Sequence, residues 1–121
     1  MRKKILIIED EERLMHALNI YLADNFDLLE TSDGISGYNT ALAMKPDLIL
    51  LDIILPQLSG TELLRKLRKD EWGKDAKVVI ISNLTSKDIE KELRDLGILE
   101  YIVKSNISIV DLTDKIKTFV Q

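Results

Sequence analysis

The sequence predicts an α/β fold, a parallel β-sheet with helices on both faces, and three observations lead there. Short apolar runs alternate with longer segments of helical periodicity along all 121 residues. The strongest runs, Ile5-Leu6-Ile7-Ile8, Leu48-Ile49-Leu50-Leu51 and Val78-Val79-Ile80-Ile81, have no polar interruption, as strands covered on both faces do. The connections are short, which suits successive βαβ units sharing one sheet. The length fits one hydrophobic core, so a single domain over residues 1–121 is expected.

The 5–8 run is the first strand, and Leu14, Leu18 and Leu22, with Ala17, recur behind it at helical spacing. Residues 27–31 read as a second, weaker strand, and Ser32-Asp33-Gly34 as a loop entering a helix that carries Tyr38, Ala41 and Leu42. Lys45-Pro46-Asp47 ends that helix, because the residue before a proline is pushed out of helical geometry. The third strand, 48–51, delivers Asp52 at its C-terminal end, and Pro56 then turns the chain. Ser59 and Glu62 have the spacing of a capping box, opening a helix that runs to about Asp70 with Leu63, Leu64 and Leu67 inward. The fourth strand, 78–81, ends in Ser82-Asn83. A helix over residues 86–96 follows, stopped by Gly97 where a left-handed residue is tolerated. Residues 99–103 are the fifth strand, with Lys104 directly after it. The last helix begins near Ser108, whose spacing to Asp111 suits an N-cap, and presents Leu112, Ile116 and Val120 on one face as it runs to Gln121.

Composition narrows the function. With 45% apolar and 31% charged residues the chain has the mixture of a soluble globular domain. No apolar run approaches the ~18–20 residues that cross a bilayer, and no secretory signal opens the chain, so the cytoplasm is the expected compartment and a membrane partner is not expected. With no Cys and one His, His16, there is no material for a disulfide framework, a zinc site or a histidine triad. His16 reads as a surface or boundary residue, and Trp72 as a local packing anchor. The net charge of −4 disfavours phosphate-backbone binding, so no nucleic-acid partner is expected. The cluster Arg65, Lys66, Arg68 and Lys69 accordingly reads as the solvated face of the third helix.

The chemistry gathers where the strands end. In open α/β sheets ligands bind beyond the carboxyl ends of the strands, and those ends deliver Glu9 and Asp10, then Asp52, then Ser82, then Lys104. Carboxylates brought together require a cation, and hard oxygen donors without thiol or imidazole select Mg²⁺. The set suits phosphoryl transfer, in which charge spread over equatorial oxygens is stabilised by positioned cations and donors. Asp52 is the nucleophile that forms an aspartyl-phosphate, with Mg²⁺, Lys104 and the Ser82 hydroxyl each taking a phosphoryl oxygen. Glu11 and Glu12 are assigned to the start of the first helix, where acids complement the helix dipole. A turnover phosphatase of the haloacid dehalogenase type lacks its second acid in Ile53-Ile54-Leu55-Pro56. A flavodoxin-like cofactor binder lacks a glycine-rich phosphate loop after the first strand.

The order Glu9-Asp10, Asp52 with Pro56 and Gly60, Ser82, and Tyr101 ahead of Val103-Lys104 resembles the receiver domain of bacterial two-component response regulators. The resemblance covers essentially the whole chain. It implies a doubly wound, flavodoxin-like sheet of strand order 2-1-3-4-5 flanked by five helices. It also implies that Asp52 accepts a phosphoryl group from a histidine kinase or phosphotransfer protein, promoting its own phosphorylation and dephosphorylation without being a turnover enzyme. By the same match Asp10 and Asp52 bind Mg²⁺ directly, Glu9 acts through water, and the backbone carbonyl of Ile54 is a further ligand. Ser82 and Tyr101 match the switch pair, with output to a downstream protein or a second copy through the helix 4, strand 5 and helix 5 face. The final helix running to Gln121 goes with a stand-alone receiver carrying no output domain. Ile54 and Leu84 lie where the family tunes loss of the phosphoryl group, and their apolar side chains are expected to hinder the attacking water.

Three positions depart from the family pattern: Glu9 where Asp is usual, Asn83 where a small residue is usual, and Ser105 in place of the proline that usually follows the lysine. A non-proline cis bond costs ~3–4 kcal/mol, so a trans bond and a differently shaped loop are expected at Lys104-Ser105. Glu9 and Ser105 keep a second reading open, a degenerate receiver that acts as an interaction module without phosphorylation.

Overall fold

The computed structural model describes residues 2–120. Five strands, β1 (Lys4–Ile8), β2 (Asp27–Thr31), β3 (Leu48–Leu51), β4 (Val78–Ser82) and β5 (Glu100–Val103), form one parallel sheet in the order β2-β1-β3-β4-β5. Five helices connect and follow them: α1 (Glu12–Leu22), α2 (Gly34–Met44), α3 (Gly60–Arg68), α4 (Lys87–Asp95) and α5 (Ile109–Val120). The fold is therefore the doubly wound, flavodoxin-like architecture expected. The expected continuation of α5 to Gln121 lies outside the described residues.

Alternation along the central strands builds two cores. Leu6 and Ile8, Ile49 and Leu51, and Val78 and Ile80 point to one face, where Ala41 of α2, Leu63, Leu64 and Leu67 of α3 and Leu93 of α4 cover them. Ile5 and Ile7, Leu48 and Leu50, and Val79 and Ile81 point to the other, against Leu18 and Leu22 of α1 and Leu112, Ile116 and Val120 of α5. Every residue of β3 and β4 is buried, which is why those segments read as continuous apolar runs. β2 is an edge strand with exposed Asp27 and Glu30, and its mixed sequence reflects that place.

Helix boundaries follow local hydrogen bonding. Ser59, Ser86 and Ser108 accept from the amides of Glu62, Ile89 and Asp111 at 3.2, 3.3 and 3.1 Å, capping α3, α4 and α5. The capping box is only half formed, because the Glu62 carboxylate pairs with Arg65 rather than returning to Ser59. α3 stops at Arg68, short of the expected Asp70, since Asp70 turns its carboxylate onto the amides of Trp72 and Gly73 at 3.0 and 2.8 Å. A single 3₁₀ turn, Gly73–Asp75, follows, and half-buried Trp72 packs on the core there as the sequence suggested. Gly97 takes the left-handed conformation, φ +87°, just beyond α4. β5 begins one residue later than expected, at Glu100, the first residue in register with β4.

The basic cluster on α3 is not a simply solvated face. Arg68 donates to the carbonyls of Leu96, Gly73, Ala76 and Gly97 at 2.7, 2.6, 2.9 and 2.6 Å. Its guanidinium thereby satisfies carbonyls at the end of α4 and around the 3₁₀ turn, groups that a helix end leaves without internal partners. Arg65 forks onto Glu92 of α4, and Lys66 lies 5.0 Å from the centre of the Tyr38 ring. Spacing alone does not separate a solvated basic residue from one that bonds the carbonyls of a neighbouring helix end, because main-chain acceptors leave no mark in the sequence. Arg68→Ala is expected to lower stability by ~1–3 kcal/mol in urea denaturation, with Arg68→Lys restoring little because an ammonium cannot reproduce the planar fork.

Candidate functional site

Strand register brings the candidate residues together. Ile8 of β1 lies opposite Leu51 of β3, so Glu9 and Asp52 leave the sheet side by side, and the Asp52 amide donates to the Ile8 carbonyl at 3.0 Å. Ser82 ends β4 opposite Val103 of β5, so Lys104 emerges at the same edge. The connection after β3 approaches Asp52 closely at Gly60, whose amide donates to the Ile53 carbonyl at 2.7 Å. A Cβ there would clash with the Asp52 carbonyl oxygen and sit 2.8 Å from Ile53 Cα, so only glycine lets α3 start this near the acid.

Glu9, Asp52 and Ser82 are buried, whereas Asp10 stands exposed at the rim. Oxygens of Glu9, Asp10 and Asp52 all lie within 4.8 Å of one another. Asp52 Oδ1 accepts the amides of Ile53 at 2.7 Å and Ile54 at 3.4 Å, which orients the carboxylate. Lys104 Nζ lies 3.0 Å from Asp52 Oδ2 and 2.7 Å from Glu9 Oε1. The Glu9 contact is an ion pair without hydrogen-bond alignment, so the buried Oε1 has no aligned donor, while Oε2 accepts the Glu11 amide at 2.8 Å. All peptide bonds among the described residues are trans, and the chain after β5 forms a short 3₁₀ turn, Lys104–Asn106. Lys104 reaches Asp52 from that turn with Ser105 in place.

The charges respond to this crowding. Burial pushes Glu9 up from the ordinary 4.5 to about 7, with the Asp52 charge adding to it and Lys104 and the Glu11 amide opposing. Burial would lower Lys104, but the Glu9 and Asp52 carboxylates outweigh that and hold its ammonium above the ordinary lysine range. An ammonium ringed by acids has no route to neutrality near pH 7.

Ser82 and Tyr101 meet through one residue. Ser82 Oγ accepts the Leu84 amide at 3.3 Å, and the Tyr101 hydroxyl donates to the Leu84 carbonyl. Tyr101 is half-buried against the core, and burial, with Glu90 and Asp52 adding, raises its hydroxyl above the usual range. Ile54 is 63% exposed beside Asp52, whereas Leu84 packs partly on the core. His16 is exposed and lines an open groove of about 700 Å³ that runs from Glu9 and Asp10 along α1, past Glu12 and Asn19.

Two contacts were not anticipated. Glu11 Oε2 lies 3.5 Å from Lys104 Nζ, so the acid assigned to the helix start also faces the cluster. Asn83 Oδ1 accepts the Ser105 amide at 2.9 Å, joining two of the three positions that depart from the expected pattern. Nothing in linear spacing marks either contact, since each depends on the strand register.

A sequence profile for the response regulator receiver domain matches residues 5–117. The chain belongs to that family. The polar-differentiation response regulator DivK of Brucella ovis is 32% identical over 120 residues, covering 98% of this chain and 97% of the relative. A CheY-like receiver domain from Methanospirillum hungatei superposes with a TM-score of 0.89 at 26% identity, covering 99% of this chain and 94% of that one. The phosphorylated cyanobacterial phytochrome response regulator RcpA superposes at 0.84 with 28% identity, covering 98% and 91%. The receiver is thus a component of phosphorelay signalling in a two-component system, a signalling protein rather than a member of a classical enzyme family. No helix among the described residues is long and apolar enough to cross a membrane.

Glu9 gives the metal-free receiver a pH-dependent stability. Its folded value, about 7, exceeds the ordinary 4.5, so the native chain holds that proton more tightly than the unfolded chain. The contribution is full below 4.5 and is lost as pH rises through about 7. In the presence of a chelator the melting temperature of the receiver should fall between pH 5 and pH 8, and Glu9→Gln should flatten that slope. A slope unchanged in the variant would assign it to other groups.

Proposed function

We propose that this receiver accepts a phosphoryl group on Asp52 from the phosphohistidine of a histidine kinase or phosphotransfer protein, with Mg²⁺ as cofactor. The observation that carries the reading is the approach of Lys104 Nζ to 3.0 Å from Asp52 Oδ2 inside a cluster of acids. The oxygen-only donor set of Glu9, Asp10 and Asp52, drawn within 4.8 Å of one another, fits a hard divalent cation. Glu9, Asp10, Asp52 and the backbone carbonyl of Ile54 are the groups that would hold it. When bound, Mg²⁺ neutralises part of the carboxylate charge and offers a positive centre to a phosphoryl oxygen.

In the transfer an Asp52 oxygen forms the new P–O bond as the P–N bond of the donor breaks, and the bonding pair returns to the donor imidazole. Lys104 pairs with a phosphoryl oxygen as charge spreads over the equatorial positions. Ser82 is prepared as a donor: its oxygen already accepts the Leu84 amide, leaving the hydroxyl hydrogen free for a second phosphoryl oxygen. A shift of Ser82 moves Leu84, and Leu84 holds the Tyr101 hydroxyl. Phosphorylation thereby favours one arrangement of Ser82 and Tyr101, a population shift read at the α4, β5 and α5 face by a downstream protein or a second copy. The reading takes residues 1–121 as one receiver domain acting in the cytoplasm.

Intact mass after incubation with Mg²⁺ and acetyl phosphate tests the acceptor. The protein should gain one acid-labile phosphoryl group and Asp52→Asn none. If neither gains one, the chain is a receiver that works without phosphorylation; if both do, the acceptor lies elsewhere.

The exposed apolar side chain of Ile54 supports a long phosphorylated lifetime by hindering water. Replacing Ile54 and Leu84 with Gln should speed loss of the phosphoryl group by roughly three- to tenfold, under about 1.4 kcal/mol of barrier. Most of the effect should come from Ile54, the more exposed of the two, in a time course of ³²P release. An unchanged or slower release would remove this explanation.

A further inference from the structure

Asn83 directly follows Ser82, the last residue of β4, and Ser105 directly follows Lys104, so their hydrogen bond joins the chain segments next to the hydroxyl and the ammonium. β4 and β5 are in register up to Ser82 and Val103, which brings these residues face to face as the chains leave the sheet. The bond is short, 2.9 Å, and its donor is the peptide nitrogen attached to the carbonyl of Lys104. It therefore holds the backbone from which the lysine side chain springs. The ammonium needs that control. Lys104 carries several rotatable side-chain bonds, yet Nζ sits at 2.7 Å from Glu9 and 3.0 Å from Asp52 with only 14% of the side chain exposed. A proline at position 105 would have no N–H to give, and Asn83 would lose this partner. The two residues form one device.

We infer that Asn83 is a positioning residue for Lys104: its side-chain oxygen clamps the Ser105 amide and sets the 3₁₀ turn from which the ammonium reaches Asp52. The clamp rests on the proposed role of Lys104 at the phosphoryl group, but it acts before any phosphoryl group arrives. It also couples Lys104 to the end of β4, where Ser82 lies, so the two groups facing the acceptor move as a unit. No proline is needed after the lysine to shape the loop, because a side chain from the neighbouring connection does so.

The test compares Asn83→Ala, Ser105→Pro and the double variant with the natural sequence. Three readouts apply: the phosphorylation rate with acetyl phosphate and Mg²⁺, the ¹⁵Nζ signal of Lys104 in the metal-free protein, and, where residue 105 keeps its N–H, the resonance and hydrogen exchange of that amide. Each single variant should slow phosphorylation by roughly three- to tenfold, the effect of loosening one positioned contact, and should shift the Lys104 signal toward that of a solvated lysine. The double variant should be no slower than the slower single one. Asn83→Asp, which retains an acceptor oxygen, should restore the Ser105 amide resonance and its slowed hydrogen exchange. Single variants with natural rates and an unmoved Lys104 signal, or effects that multiply in the double variant, overturn the clamp. If the natural sequence takes up no phosphoryl group, the proposed function fails, while the Lys104 signal still decides the clamp.

Discussion

Two buried carboxylates leave adjacent strands side by side, and a single ammonium holds them there. Glu9 and Asp52 are nearly solvent-free, and bringing such groups together out of water is strongly unfavourable unless a cation accompanies them. Lys104 supplies that cation across the sheet, from the strand farthest along the order from β1 on that side. Much of the surrounding architecture serves this contact. β3 must be short enough to release Asp52 level with Glu9, β5 must end where the lysine can turn inward, and α3 must begin close enough to cover the acid, which Gly60 permits.

The same contact explains the chemistry available. Burial, with the Asp52 charge adding to it, holds Glu9 above the ordinary carboxylate range, so the crowded site keeps a proton that a solvated acid would release. Glu9 and Asp52 leave the sheet directly after β1 and β3, while Ser82 closes β4 and is tied through Leu84 to Tyr101, and the residues after Ser82 and Lys104, Asn83 and Ser105, are bonded to each other. Under the proposed function, these ties are the route by which a phosphoryl group on Asp52 would reach the Tyr101 side chain.

Most of the fold was legible because burial on both faces leaves an unmistakable trace. The runs ending at Ile8, Leu51 and Ile81 could only be central strands, and the residues following them could only gather at one edge. Glu9 and Asp10 stand together with Asp52 as the strand ends suggest, whereas Glu11, at the N-cap position of α1, also lies 3.5 Å from Lys104, a contact that linear spacing does not mark. Arg68 was misread for a related reason. Its partners are backbone carbonyls around the end of α4, and main-chain acceptors carry no sequence signature. Asn83 and Ser105 were visible only as two separate irregularities, 22 positions apart, until the register of β4 and β5 showed them to be one.

The Arg68 contacts also bear on how a signal could leave the site. α4 is fastened at its far end, where Arg68 grips the Leu96 and Gly97 carbonyls and Arg65 holds Glu92, while its first turn is held by the Ser86 cap, two residues beyond Leu84, and by Ile89, which packs only partly on the core. A rod pinned at one end answers a push at the other by tilting rather than sliding. Small movements near Ser82 would then be converted into an angular change of α4, largest beside the site and vanishing at the pivot, so a partner that reads the first turn of α4 would sense far more than one that reads its last.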